Sequence, residues 1–142
     1  MFKLTSKKLR TTGIALTAFV ALALTVGCSS SKPNAPISAF QPEIVNNTDA
    51  FSFQATAIEN VSATMVYSWQ NTGTQATINH SSTVDSGTVS VTILDANGTQ
   101  VYANPLVASL NEPTTAGTAG VWTVTVTLTN AYGTLNFRAD KL

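Results

Sequence analysis

Hydrophobic and polar residues alternate with a period of two along most of the chain after residue 49. Side chains of a β-strand point alternately to opposite faces, so each run predicts a strand with one buried and one exposed face. The runs place these residues inward: Phe51, Phe53, Ala55 and Ala57; Met65, Tyr67 and Trp69; Ala76, Ile78 and His80; Val89, Val91 and Ile93; Trp122, Val124, Val126 and Leu128; Leu135, Phe137 and Ala139.

Clusters of Gly, Asn and Asp separate these runs and predict turns at residues 71–73, 85–87, 95–98 and 130–133. Asn97 and Gly98 form the strongest signal, because this pair favours a tight hairpin turn, with residues 101–106 as the returning strand. Residues 111–120 are expected to form a loop. The pattern predicts an all-β domain over residues 48–142, an antiparallel β-sandwich of about seven strands with an Ig-like or jelly-roll-like fold.

The first 27 residues have a different pattern. A basic start with four Lys and Arg residues is followed by an apolar run over residues 14–26 that carries no charge. This arrangement is typical of a secretion signal, which forms a helix that is removed from the mature protein. The apolar run is short for a permanent membrane span, which needs roughly 20 such residues. We therefore expect residues 1–27 to be a signal peptide.

The residues Leu24-Thr25-Val26-Gly27-Cys28 resemble the lipobox of bacterial lipoproteins, in which a small residue precedes an obligatory cysteine. Thr25 stands where the family usually has leucine. The resemblance implies cleavage between Gly27 and Cys28 by a signal peptidase of the lipoprotein type. It also implies acyl chains on Cys28 that anchor the protein in the bacterial cell envelope. In Gram-negative members an aspartate after the cysteine causes retention in the inner membrane; Ser29 here implies the outer membrane.

The segment between the anchor and the sandwich is rich in Ser, Pro and Asn. Residues 28–47 are therefore expected to hold the lipidated cysteine and a flexible linker. Loss of the signal leaves three basic and seven acidic residues, a net charge of three minus seven, or −4. Nucleic-acid binding needs clustered Lys and Arg, so it is not expected.

His80, Ser81 and Asp85 are the residues that could form a hydrolase triad. Neighbouring residues on a strand point to opposite faces, so His80 and Ser81 are not expected to meet. No other histidine occurs in the chain. The sequence predicts a protein that is not an enzyme and has no cofactor.

Asp95, Asn97 and Gly98 imitate the start of a calcium-binding loop. Thr99 and Leu106 stand where further oxygen ligands would be required. The segment is therefore predicted to be a turn, and no metal site is expected.

Exposed aromatic residues would indicate a sugar-binding surface. Alternation points Trp69 and Trp122 into the core, which leaves Tyr102 and Tyr132 as possible ligand contacts. The tail Gly120-Val121-Trp122-Thr123-Val124, followed by Gly133-Thr134-Leu135-Asn136-Phe137, resembles the closing hairpin of Ig-like and prepeptidase C-terminal-type sandwiches of secreted bacterial proteins.

The function expected is that of a membrane-anchored, non-catalytic structural or protein-interaction module of the envelope. The alternative is a carbohydrate-binding or adhesive module at the cell surface. The expected partners are the membrane, through the acyl chains, and an envelope protein or glycan that the sequence does not identify.

Overall fold

The computed structural model describes residues 32–142, which form seven β-strands and one short 3₁₀ helix, Ile37–Phe40. The strands are β1 (Glu43–Asn47), β2 (Ala50–Asn71), β3 (Ala76–His80), β4 (Thr83–Leu94), β5 (Gln100–Pro105), β6 (Leu110–Pro113) and β7 (Gly120–Lys141). All pairings between these strands are antiparallel. The prediction of an all-β antiparallel fold is confirmed. The predicted signal helix lies outside the described residues.

The two longest strands, β2 and β7, each contain 22 residues and pair along their whole length. A straight strand of that length would span about 70 Å. However, the main-chain N–H of Asp49 donates a hydrogen bond of 2.8 Å to the carbonyl of Gln70, at the other end of β2. The strand is therefore bent double, and β7 bends with it.

The two long strands bend where they pair with each other, at residues 57–60 of β2 and 130–133 of β7. Ala57 and Asn60 in β2 and Asn130 and Gly133 in β7 have positive φ angles of 50°, 50°, 45° and 134°. The pairing register between β2 and β7 shifts at these residues. Such shifts are typical of β-bulges, in which an extra residue in one strand kinks it. A Cβ atom on Gly133 would lie 2.0 Å from the carbonyl oxygen of Thr83, so this position requires glycine.

The bend divides the strands into two layers. The first layer contains β1, β3, β6, the first half of β2 and the second half of β7. The second layer contains β4, β5, the second half of β2 and the first half of β7. The core fills the space between them. Trp69 and Trp122 are fully buried there, edge to face at 5.7 Å, and their indole N–H groups donate to the carbonyls of Asn47 and Thr118. The inward orientation predicted for both tryptophans is confirmed.

Two predicted turns are wrong. Residues 85–87 lie inside β4, where the register with β7 shifts. Residues 130–133 lie inside β7, so the two segments that resembled a closing hairpin belong to one continuous strand. Asn130 and Gly133 bend the strand without reversing it. The matching bulge in β2 also turns Ala57 outward, although alternation predicted it inward, and buries Ile58 and Val61 instead.

The linker predicted up to residue 47 also needs correction, because the sandwich begins earlier. Strand β1 pairs with the first five residues of β2. Ile37 and Phe40 of the 3₁₀ helix pack against the core, and the main-chain N–H of Ala35 bonds to the carbonyl of Asn60 at 3.1 Å. All five side chains of β1 are exposed, so the strand has no apolar alternation that the sequence could reveal.

Candidate functional site

A cleft of about 250 Å³ lies at the edge of the sandwich where the chain crosses from β5 in one layer to β6 in the other. We call it the His80 cleft. It is lined by the last residue of β3, two residues of β5, the crossing loop and two residues of β6. These lining residues include His80, Asn104, Pro105, Val107, Leu110 and Glu112.

His80 forms the wall of the cleft at the end of β3. Its pairing with Phe137 of β7 and Leu110 of β6 fixes its position in the first layer. The side chain is only 2% exposed, in agreement with the predicted inward orientation. Neither ring nitrogen has a hydrogen-bond partner. Because buried polar groups are nearly always hydrogen-bonded, this imidazole is an exception that requires an explanation.

Glu112 contributes the charge of the cleft from β6, where it is half-buried. Its Oε1 atom accepts a hydrogen bond of 2.8 Å from Nδ2 of Asn104 on β5, which joins the edges of the two layers. No lysine or arginine lines the cleft. The carboxylate therefore has a neutral hydrogen-bond donor but no counterion at this edge.

Burial lowers the pKa of the His80 imidazole below its usual range, and the negative charge of Glu112 only opposes this shift. The ring is thus neutral at physiological pH, with one N–H donor and one bare nitrogen acceptor. The cleft exposes an uncompensated carboxylate beside an apolar wall, whereas both ring nitrogens of His80 are buried.

Tyr102, predicted as an exposed ligand contact, is buried with 6% of its surface accessible. The cause is a register irregularity in the β4–β5 hairpin, where Leu94 pairs with Gln100 but Ile93 pairs with Tyr102. The extra residue turns both Val101 and Tyr102 inward. Burial also raises the pKa of the Tyr102 hydroxyl, which has no hydrogen-bond partner. The prediction of an exposed contact is wrong for this residue.

Tyr132, the other predicted contact, is half-buried at the bend of β7. It lines a shallow depression of about 380 Å³ together with Glu59, Asp85 and residues of the bend. Trp69 and Trp122 are buried elsewhere, so no second large aromatic side chain lines this depression.

The structure does not assemble His80, Ser81 and Asp85 into a triad. Ser81 and Asp85 are exposed, whereas His80 is buried and bonds to neither of them. Ser81 comes directly after the last residue of β3 and is exposed, so it does not share the buried face of His80, as the sequence predicted.

Both carboxylate oxygens of Asp95 accept hydrogen bonds from main-chain donors. Its Oδ1 atom accepts hydrogen bonds from the N–H groups of Asn97 and Thr99, at 2.9 and 2.8 Å, and its Oδ2 atom accepts one from Thr118 at 2.8 Å. Burial alone would raise the pKa of this carboxyl, but these donors outweigh it and hold the pKa below its usual range. The predicted turn is present, and Gly98 adopts a φ of 80° within it.

Sequence reasoning missed Asn104 and Glu112. Asn104 lies on a correctly predicted strand, but nothing in the sequence indicated what it would face. Glu112 was placed in a loop, and only its pairing partner Ile78 brings it next to β3.

Gly27 and Cys28, the predicted cleavage and lipidation residues, lie outside the described residues. Within residues 32–142 no helix is long and apolar enough to cross a membrane. The same part of the chain contains no group of three or more His, Cys, Asp or Glu side chains arranged to hold a metal ion.

Comparison with known proteins adds no assignment. The chain matches no protein-family model, and no curated protein is significantly similar to it in sequence.

Proposed function

We propose that this protein is a bacterial lipoprotein whose sandwich serves as a non-catalytic interaction module held at the cell envelope. Signal removal between Gly27 and Cys28 and acylation of Cys28 provide the anchor, and Ser29 directs it to the outer membrane where the host has one. One observation carries the proposal: a basic start, an uncharged apolar run and a lipobox-like sequence follow one another in residues 1–28, ahead of a β-sandwich.

The short distance along the chain between the anchor and the sandwich supports this proposal. The carbonyl of Lys32 already accepts a hydrogen bond from Nδ2 of Asn60, at the bend of β2. Only residues 29–31 separate Lys32 from Cys28. Four residue steps reach at most about 14 Å, so an acyl anchor at Cys28 would keep Lys32 within that distance of the lipidated cysteine.

A non-catalytic role is supported by the hydrogen bonds of two described carboxylates, Asp95 and Asp49, which are made within the fold. Both carboxylate oxygens of Asp95 hold main-chain N–H groups. Asp49 accepts hydrogen bonds from Nζ of Lys141 and from Thr72, which tie the chain end to the turn after β2. These carboxylates stabilise the fold, and neither converges with a nucleophile or with His80.

The free edge of β1 is the surface that we propose for a protein partner. One side of β1 pairs with β2, and no described strand pairs with the other. Ile44 and Val45 remain 42% and 47% exposed on it. An extended segment of a partner could add a strand there through main-chain hydrogen bonds, as in β-augmentation.

The carbohydrate-binding alternative has lost most of its support. It required exposed aromatic side chains, but of the four that the sequence singled out, Trp69, Trp122 and Tyr102 are buried and Tyr132 is half-buried. Among these four residues, stacking on a sugar would rest on Tyr132 alone.

Membrane extraction tests the proposal. We expect the wild-type protein, expressed in a bacterial host, to resist extraction from membranes by high salt and alkaline carbonate but to dissolve in detergent. The variant Cys28→Ser should leave the membrane fraction or stay as the uncleaved precursor. The variant Ser31→Ala is the matched control and should behave as the wild type. Wild type that is released by salt or carbonate would contradict the anchor.

A further inference from the structure

We propose that the free edge of β1 binds the same edge of a second copy of this chain, so that the first layers of two sandwiches join into one continuous sheet. The inference rests on the proposed function and names the partner of the β1 edge. Three features of β1 support it: the edge is unprotected, its outer main-chain groups are free, and its side chains complement those of a second β1.

The first layer has an edge strand on each side, and the two edges differ in how they are protected. On one side, β6 contains Pro113, which has no N–H to donate, and Glu112, which pairs with the buried Ile78 and shares its inward face. Proline and inward-pointing charges are devices that keep an edge strand from pairing further. On the other side, β1 contains neither proline nor lysine and pairs with β2 without a register shift. The β1 edge is therefore open to another strand.

The register of the first layer shows which main-chain groups of β1 are free. Along a strand, these groups point alternately to the two neighbouring strands. The N–H of Ser81 donates to the carbonyl of Asn136, so the even-numbered residues in this half of β7 face β3 and the odd-numbered ones face β2. The paired residues carry this alternation across β2, so the odd-numbered residues of β1 bond to β2. The N–H and carbonyl groups of Ile44 and Asn46 consequently point to the free side.

A second copy can use all of these free groups in one symmetric register. If the two β1 strands run antiparallel, Ile44 of each chain lies opposite Asn46 of the other, and each such pair exchanges main-chain hydrogen bonds in both directions. Val45 then lies on the two-fold axis, opposite Val45 of the second copy. A register centred on Ile44 or on Asn46 would leave the other residue outside the ladder.

The side chains of β1 complement one another in this register. Val45 is 47% exposed, and at the axis the two Val45 side chains cover each other. Glu43 lies opposite Asn47 of the second copy on the same outer face, so the Asn47 amide can donate a hydrogen bond to the Glu43 carboxylate. The symmetry repeats this contact on the other side of the axis. No like charges meet in the paired strands.

The symmetry also suits two chains in one membrane. The two-fold axis of such a strand pair is perpendicular to the sheet, so Lys32 of both copies lies at the same height along the axis, as expected for two chains anchored in the same membrane. Confinement to one membrane raises the effective concentration of the two edges, which favours even a short interface.

Cysteine cross-linking of the full chain in bacterial membranes tests this inference. The two Val45 residues would form a pair without main-chain hydrogen bonds, with Cα atoms about 4.5 Å apart. A disulfide spans Cα distances of about 4.4 to 6.8 Å. We expect Val45→Cys, oxidised with copper phenanthroline, to give a reducible dimer on a denaturing gel. Val121→Cys is the matched control, because Val121 is 55% exposed but lies in β7, and it should remain monomeric.

A second set of variants tests the register. Glu43→Cys and Asn47→Cys, produced in one cell with tags of different length, should form a mixed disulfide across the axis. Glu43→Cys alone should not cross-link, because the two copies of residue 43 would lie about 14 Å apart along the strands. Val45→Lys in both chains places like charges opposite each other and should lower the mixed cross-linked fraction at least about fivefold. Val121→Lys should leave that fraction unchanged.

Membrane extraction of the wild type reports on the lipid anchor alone, so the anchor and the self-association can fail separately. A Val45→Cys protein that stays in the membrane but forms no more dimer than Val121→Cys would overturn self-association and leave the anchor standing. A cross-link from residue 45 to a protein of different mass would also overturn it, because the β1 edge would then bind another protein.

Discussion

Asp95 and His80 are both buried polar residues next to strand ends, with 5% and 2% of their surfaces exposed, but their surroundings differ. Asp95 accepts three main-chain hydrogen bonds, which lock the β4–β5 turn to residue 118. His80 has no hydrogen-bond partner for either nitrogen. A satisfied buried group is explained by the fold it stabilises. An unsatisfied one costs stability, because it has given up its hydrogen bonds to water without gaining others.

The largest effect that this comparison predicts is for Asp95→Ala. The substitution leaves three N–H groups without their acceptor, two of them in the tight turn, so we expect the melting temperature to fall by roughly 10 °C or more. Asp85→Ala, at an exposed aspartate in β4, is the control and should melt as the wild type does. Thermal unfolding followed by circular dichroism measures both. Equal melting temperatures for the two variants would show that the Asp95 hydrogen bonds do not matter for stability.

A smaller effect is expected from acid. The folded pKa of His80 is lowered from its usual value of 6.5, so the unfolded chain takes up the proton first as the pH falls. The unfolding free energy is therefore unaffected by His80 titration above pH 6.5, falls as the pH drops below 6.5, and stops falling on this account once the pH passes the folded pKa. One proton changes the unfolding free energy by at most about 1.4 kcal/mol per pH unit.

Urea unfolding between pH 7.5 and 5 tests this dependence, and His80→Leu identifies its source. The wild type should lose stability over this range, and the variant should lose measurably less. Parallel pH profiles of the two proteins would assign the dependence to other groups.

The smallest effect is that of His80→Leu itself at pH 7.5. Replacing an unsatisfied buried imidazole by an apolar side chain of similar size removes a desolvation penalty, so we expect the unfolding free energy to rise by about 1 kcal/mol. Urea unfolding at constant pH measures the change. Destabilisation instead would mean that the imidazole makes stabilising interactions that the comparison with Asp95 overlooks.

Alternation predicted the buried faces well, because a residue that packs between two layers must be apolar. Every inward residue predicted over 76–80, 89–93, 122–128 and 135–139 is buried. The predicted number of strands also agrees, but the strands are divided differently. Two predicted pairs merge into β2 and β7, because residues that bend a strand are of the same types as those that form a turn. The exposed β1 and the short β6 were missed because neither buries a regular apolar face.

The candidate site was less predictable than the fold. His80 was expected to point inward, and its burial is confirmed, but its lack of partners depends on what β5 and β6 place around it. Those strands come together through the crossing loop, and no local pattern encodes the contact of Asn104 with Glu112. Local periodicity determines which way a side chain points, whereas what it meets depends on the tertiary fold.

The intact mass of the protein extracted from bacterial membranes tests the central claim, lipid anchoring at Cys28, most directly. We predict that the wild type has the mass of residues 28–142 plus two or three acyl chains with their glyceryl group, and that Cys28→Ser lacks this modification. An unmodified wild-type mass, or cleavage at another position, would contradict the claim.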